Sequence, residues 1–166
     1  MQLFSVRCRI TPWLWASGLC VLWWGLGACQ GTRQAQATGD TFSSAATLQR
    51  GSWVVQTLGG PGRPAPVLPR TQLTLRFRPD QGTVSGDAGC NRYEAPYQLR
   101  DSSLTIQPPG ATRRLCDQPS GVMAQEELFL GLLRAVQQYR IEDEGTELLY
   151  LRCANGAQVV LARPVE

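Results

Sequence analysis

The side chains best suited to chemistry in this chain are its cysteines, because the sequence contains no histidine and no lysine. Without histidine there is no Ser-His or Cys-His nucleophile pair and no imidazole to shuttle protons or bind a metal. Without lysine there is no Schiff base and no Ser-Lys dyad. Most hydrolase and transferase mechanisms are therefore excluded, and we expect a protein that is not an enzyme.

Carboxylates are the acid–base groups that remain. Glu126 and Glu127 are adjacent in a predicted helix, so their side chains diverge, and further acidic residues cluster between positions 142 and 147. We expect both groups to be solvated surface. A glycosidase needs two carboxylates across a cleft, and nothing in this spacing provides them.

Three cysteines lie in the body of the chain, at Cys90, Cys116 and Cys153. Together with Asp87 they could bind a metal, but histidine and closely paired cysteines are both missing, so we expect no metal and no cofactor. An oxidising compartment favours disulfides. Three thiols allow three different single bridges, each of which leaves one cysteine unpaired.

The N-terminal segment 1–28 has the layout of a secretory signal peptide. Arg7 and Arg9 precede an apolar run over 13–26, and small residues follow it. The sequence Leu-Gly-Ala directly before Cys29 resembles a bacterial lipoprotein signal, in which that cysteine receives lipid and becomes the first residue. We therefore predict lipidation of Cys29. Plain secretion and a short membrane anchor are the alternatives, although the run is shorter than the about 20 apolar residues that span a bilayer.

Removal of the signal peptide changes the charge of the chain. Of the 16 basic residues, Arg7 and Arg9 leave, so 14 remain against 13 acidic residues. Nucleic-acid binding needs a clustered basic surface, and we expect no nucleic acid as a partner. The residue after Cys29 is Gln30 and not aspartate, which in lipoproteins of two-membrane bacteria favours the outer membrane. We expect a lipid-anchored protein of the cell envelope at the outer membrane, facing the periplasm.

The remainder of the chain divides into a tether and one domain. Residues 29–49 are small and polar and predict a flexible tether. Within 50–164, alternating and β-branched runs predict about seven or eight short strands, while the stretch 59–69, rich in proline and glycine, predicts a loop. One helix is predicted after Pro119, and an Asn-Gly turn at 155–156 predicts a closing hairpin. We expect an α+β domain, mainly antiparallel β-sheet with one helix packed on it.

Two separated motifs resemble the META domain, the family of HslJ-like bacterial proteins, also described as DUF306. Residues 84–93, VSGDAGCNRY, match the signature of the family, and residues 112–116, TRRLC, look like its Thr-Arg-x-x-Cys segment. A helix and a last hairpin follow in the order of the family, so the resemblance covers about 51–163. It implies a small antiparallel β-rich fold with one helix and an envelope location, often as a lipoprotein. It brings no established reaction, cofactor or catalytic residue, and the family is associated with stress and drug tolerance.

The resemblance favours one of the three cysteine pairings. Cys90 and Cys116 lie in the two signature motifs at strand ends, so we expect a bridge between them. Closing a loop of about 25 residues would stabilise the fold by about 3 kcal/mol. Cys153, in a predicted strand, is then the odd thiol.

The same motifs contain the candidate binding residues, Asn91, Arg92, Arg113 and Arg114. Structural roles are the alternative: Asn91 would cap a turn, Arg92 would pair with a neighbouring carboxylate such as Asp87 or Glu94, and the other two arginines would form salt bridges.

From these features we expect a non-enzymatic, lipid-anchored META-domain protein that binds another envelope protein or supports the envelope under stress. Its expected partners are the membrane, through lipid on Cys29, and another envelope protein. The alternative is a small-ligand or enzyme-inhibitor module whose loops hold an anionic group or enter an enzyme cleft.

Overall fold

The computed structural model describes residues 39–164, so the predicted signal peptide and Cys29 lie outside the described residues. The described chain contains two helices, α1 (Gly39–Gln49) and α2 (Val122–Ala135). Neither helix is long and apolar enough to cross a membrane. The strands are β1 (Trp53–Gly60), β2 (Arg63–Pro66), β3 (Thr74–Arg78), β4 (Thr83–Asp87), β5 (Arg92–Arg100), β6 (Ser103–Ile106), β7 (Gly110–Ala111), β8 (Val136–Asp143), β9 (Glu147–Cys153) and β10 (Gln158–Ala162).

Eight of these strands close into an antiparallel barrel in the order β1-β10-β9-β8-β6-β5-β4-β3, because β1 pairs with both β10 and β3. Each strand of the ring therefore has a neighbour on both sides, with β6 and β8 paired only at Ser103 and Gln138. The expected α+β class, mainly antiparallel sheet with a helix packed on it, is confirmed.

The ten strands exceed the predicted number because two short strands lie outside the ring. β7 pairs with the start of β5, and β2 pairs with the second half of β1 within the segment predicted to be a loop. That prediction was wrong for Arg63–Pro66, since proline is tolerated on an exposed edge strand, where its missing N–H faces solvent.

Alternation along the strands separates the barrel interior from its outer face. In β3, Leu75 and Phe77 are buried, whereas Arg76 and Arg78 are exposed, as the period-two pattern predicts. The interior is filled by fully buried large side chains, among them Trp53, Phe129, Leu73, Leu104, Leu133, Leu149, Leu151 and Leu161.

The two helices close opposite ends of the barrel. α2 lies at the end that contains the turn between β4 and β5, where it contacts that turn through hydrogen bonds. α1 lies at the other end, where Gln49 Nε2 donates to Tyr97 Oη over 2.8 Å.

The helix α1 is a departure from the predicted flexible tether at 29–49. Its C-terminal part belongs to the folded domain, because Leu48 is fully buried and its carbonyl accepts a hydrogen bond from Trp53 Nε1 at 2.9 Å. One leucine in a polar segment is too weak a sequence pattern to predict that the segment packs on the domain. The end of the barrel supplies the apolar surface that buries it.

Candidate functional site

The four candidate binding residues come together at the α2 end of the barrel. The predicted disulfide between Cys90 and Cys116 is present, with their Cα atoms 6.0 Å apart, and it joins the turn before β5 to the segment before α2. The two signature motifs therefore form one continuous structure.

Asn91 is the centre of this structure, and it is only 3% exposed. Its Nδ2 donates to Glu126 Oε1 at 2.7 Å and to the carbonyl of Arg114 at 3.0 Å. Its Oδ1 accepts hydrogen bonds from Thr112 Oγ1 at 2.8 Å and from the backbone N–H of Arg114 at 2.7 Å. Every hydrogen-bonding position of the amide is thus used within the protein. Asn91 supports the site and is not available to a ligand.

Glu126 is the residue that the sequence reasoning missed. It was expected to be solvated, yet it is 6% exposed, and that expectation was wrong. Its Oε2 accepts hydrogen bonds from the backbone N–H groups of Asn91, at 2.7 Å, and Cys90, at 3.2 Å. The sequence spacing does indicate this burial, because Val122, Glu126, Phe129 and Leu133 follow the i, i+4, i+7, i+11 spacing of one helix face. All four residues are buried.

The segment 112–116, which we call the 112–116 loop, presents three exposed side chains in a row. Leu115 is 93% exposed, and Arg113 and Arg114 are exposed beside it. Neither arginine forms an ion pair with any residue in the described part of the chain, so the predicted salt bridges are absent there. The backbone of the loop is nevertheless fixed, by Asn91 and by the disulfide at Cys116.

Arg92 lies on the outer face of the barrel, beside the loop. It pairs with Asp87 at 3.5 Å, one of the two partners expected, and the Arg92 side chain remains 84% exposed.

Arg92 borders an open groove of about 760 Å³ that also contains Arg76 and Glu94. The floor of this groove includes Gly86, where an added Cβ would lie 1.9 Å from the carbonyl oxygen of Thr74. Glycine is therefore required at that position.

A second groove, which we call the α2 groove, lies between helix α2 and the Pro108-Pro109 segment and has a volume of about 600 Å³. Its helical wall is formed by Met123, Glu127, Leu130, Gly131 and Arg134. Glu127 is exposed and forms no ion pair within residues 44–164. A Cβ added at Gly131 would have no heavy atom within 4 Å, so the groove is open beside it.

The opposite end of the barrel carries a different cluster, centred on Arg163. Its guanidinium lies 4.1 Å from the centroid of the Trp53 ring, pairs with Glu147 and donates to the carbonyl oxygens of Arg50 and, at 2.8 Å, Thr47. Because these carbonyls lie at the C-terminal end of α1, Arg163 attaches that helix to the barrel.

Two buried ionisable groups, Tyr93 and Cys153, have raised pKa values, which favours their neutral forms. Burial raises the pKa of Tyr93 well above its ordinary value, with a further contribution from nearby Asp87. Burial also raises the pKa of the free Cys153 thiol. Among the described residues, no group of three His, Cys, Asp or Glu side chains is placed to hold a metal ion.

Comparisons with known proteins give one family model and two solved structures. The META domain model matches residues 46–166. An NMR structure of a protein from Burkholderia xenovorans is similar, with a TM-score of 0.64 and 25% identity, covering 75% of this chain and 88% of that chain. A second NMR structure has a TM-score of 0.48 and 19% identity, covering 69% of this chain and 91% of that one. No curated protein sequence matches. Because the family model spans most of the chain and both of its predicted motifs, the chain belongs to the META domain family.

Proposed function

We propose that this protein is a non-enzymatic binding module of the cell envelope that recognises another protein through the 112–116 loop. The observation that carries the proposal is the 93% exposure of Leu115 on a loop whose backbone is fixed. A large apolar side chain held in solvent contributes nothing to the folding of its own domain, whereas it can be buried in the pocket of a partner.

The support beneath the loop favours binding. A loop that is already held by the disulfide and by Asn91 loses little conformational entropy when a partner binds. Arg113 and Arg114 add charged donors that have no partner among the described residues, and arginine is enriched among the residues that dominate binding energy. The partner that fits is a protein with an apolar pocket bordered by carboxylates.

The envelope location belongs to the same proposal. It is supported by the signal-like segment 1–28 and by the position of Cys29, which together suggest a lipid anchor at the outer membrane, facing the periplasm. A short tether would keep the domain close to the membrane, where the module would meet other envelope proteins during stress or drug exposure.

Site-specific photo-crosslinking in native membranes tests the binding role. A photoreactive residue at position 115 should give a discrete cross-linked product, whereas the same residue at Leu128, which is exposed on α2, should give none. Equal labelling from both positions, or none from position 115, would contradict the proposal.

Mass spectrometry of the unreduced protein tests the anchor, because a lipid on Cys29 and a chain that starts there are both visible in the mass.

A second candidate function, small-anion binding, is favoured by the groove on the outer face. Arg76 forms no ion pair with any described residue and shares the groove with Arg92, whose pair with Asp87 is exposed. Titration with inorganic phosphate, followed by NMR, should then shift resonances of β3 to β5. Arg76→Ala should remove these shifts without lowering the melting temperature, while Arg100→Ala serves as the control. A titration that shifts nothing would dismiss this candidate.

A further inference from the structure

The 112–116 loop and the α2 groove are complementary, and we propose that two copies of this chain form a symmetric dimer in which each loop occupies the groove of the other copy. This inference rests on the proposed binding role of the loop and names a second copy of the chain as its partner.

The loop offers one exposed apolar side chain beside two arginines. Leu115 is 93% exposed, and Arg113 and Arg114 have no ion pair within the described residues. Such a loop needs an apolar recess with negative charge at its border.

The α2 groove has these properties. Met123, Leu130 and Pro109 give it apolar walls that are half-buried, so part of their surface still contacts water. Glu127 stands on the same helical wall, four residues after Met123, and its carboxylate has no cationic partner among residues 44–164. Arg134 lies two helical turns further on, about 10 Å along the axis. The carboxylate of Glu127 therefore lies on the stretch of the groove between Met123 and Leu130, and Arg134 lies at the far end.

The loop does not fill the groove of its own chain. Leu115 is exposed, and the space beside Gly131 is open. The two features are nevertheless neighbours, because Glu126 lines the groove and also binds Asn91, which in turn binds the backbone of Arg114.

A two-fold axis can therefore bring each loop to the groove of the other copy. A surface that contains both a projection and its receptor is what an isologous interface requires.

The dimer should be weak in solution. Two leucines and four arginines bury less than the about 1,600 Å² of a standard interface, so we expect a dissociation constant on the order of 100 µM. Confinement of anchored copies to one membrane would raise their effective concentration and favour the dimer.

Sedimentation equilibrium of the purified protein, in detergent where it carries lipid, tests the proposal between about 5 µM and about 1 mM, a range that brackets the expected constant. A reversible monomer–dimer equilibrium is expected. A monomer throughout this range would overturn the dimer.

Three variants identify the interface. Leu115→Ser should raise the dissociation constant at least ten-fold, and Gly131→Arg should do the same by filling the groove and adding a positive charge. Leu128→Ser is the matched control, because it removes an exposed leucine from α2 outside the groove, and should leave the constant unchanged. The melting temperatures of Leu115→Ser and Leu128→Ser should stay near the parent value, because both side chains are exposed. That of Gly131→Arg should not fall, because arginine favours a helix interior over glycine.

An exchange of charges between loop and groove gives the sharpest test. R113E/R114E reverses the loop and E127R reverses the groove, so each variant alone should be monomeric. An equimolar mixture should recover the dimer, because the reversed loop meets the reversed groove and the native loop meets the native groove. A mixture that stays monomeric, or a single variant that dimerises like the parent, would overturn the assignment.

These results separate the dimer from the broader binding role. If the purified protein is monomeric at about 1 mM while a cross-linker at position 115 joins it to a different protein, the dimer is wrong and the binding role stands. If position 115 cross-links to nothing and the protein is monomeric, both are wrong.

Discussion

The two ends of the barrel are closed by a helix each, but they are held by different chemistry. At the α2 end, a disulfide and a buried amide–carboxylate pair, Asn91 and Glu126, join three segments of chain. At the α1 end, Arg163 stacks on Trp53 and pairs with Glu147, with the charged groups partly exposed. The α2 end supports an exposed loop, whereas the α1 end attaches a helix that buries Leu48.

The difference shows what a rigid recognition loop requires. Hydrogen bonds from fully buried groups are shielded from water, and removing one partner leaves the others unsatisfied. Contacts of a partly exposed arginine are screened and can be replaced by water. We therefore expect the α2 end to be the stronger of the two, and the following experiments compare them.

The largest effect should come from removing the disulfide at the α2 end. C90S/C116S should lower the free energy of unfolding by about 3 to 4 kcal/mol, because the unfolded chain regains the entropy of a loop that the disulfide had closed. Chemical denaturation measures this. The control is Cys153→Ala, which leaves the bridge intact; if the control destabilises as much as the double variant, the strength of this end does not come from the disulfide.

The second largest effect should come from Asn91→Ala. It should lower the free energy of unfolding by about 2 to 3 kcal/mol, because the buried Glu126 and the Arg114 backbone lose their partner. Hydrogen exchange should also show the 112–116 loop opening. Arg92→Ala is the neighbouring control and should change the stability by less than about 0.5 kcal/mol, because the Arg92 side chain is exposed. Similar losses of unfolding free energy in both variants would show that the stability of this end does not depend on the buried amide of Asn91.

At the α1 end, Arg163→Ala should lower the free energy of unfolding by about 1.5 kcal/mol, through loss of the Trp53 contact and the Glu147 pair. Hydrogen exchange should accelerate in α1 and stay unchanged in α2. Arg163→Lys retains the charge but loses the planar guanidinium on the Trp53 ring. Its free energy of unfolding should therefore lie between those of the parent and Arg163→Ala. Faster exchange in both helices would show that the two ends are not independent.

Alkaline pH should act through the buried tyrosine nearest the α2 end. Tyr93 packs edge-on against Phe129, and its raised pKa means that the native state favours the protonated phenol. Its contribution to stability is complete below the ordinary pKa of about 10 and is lost as the pH rises through the higher native value, by about 1.4 kcal/mol per pH unit. Chemical denaturation of the parent and of Tyr93→Phe at a series of alkaline pH values measures this loss, and a variant whose stability falls with pH as the parent's does would refute it.

The sequence by itself determined the class of fold and the motifs of the site. Alternation in β3 and the Asn-Gly turn before β10 depend on local chemistry, so they could be predicted without knowing the partners of each strand. The two motifs also identified Cys90 and Cys116 as the favoured pair, because the resemblance covered both.

Only the tertiary structure decided which polar residues are buried and which are free. Glu126 and Glu127 are neighbours in sequence, yet one is at the centre of the α2 end and the other faces a groove, because a helix turns by about 100° per residue and the barrel covers one side. Leu48 lies in a segment whose composition predicts a flexible tether, yet its side chain is fully buried at the end of the barrel. Local patterns fix the direction in which a side chain points along its own element, while its neighbours are set by closure of the barrel, which brings distant segments together.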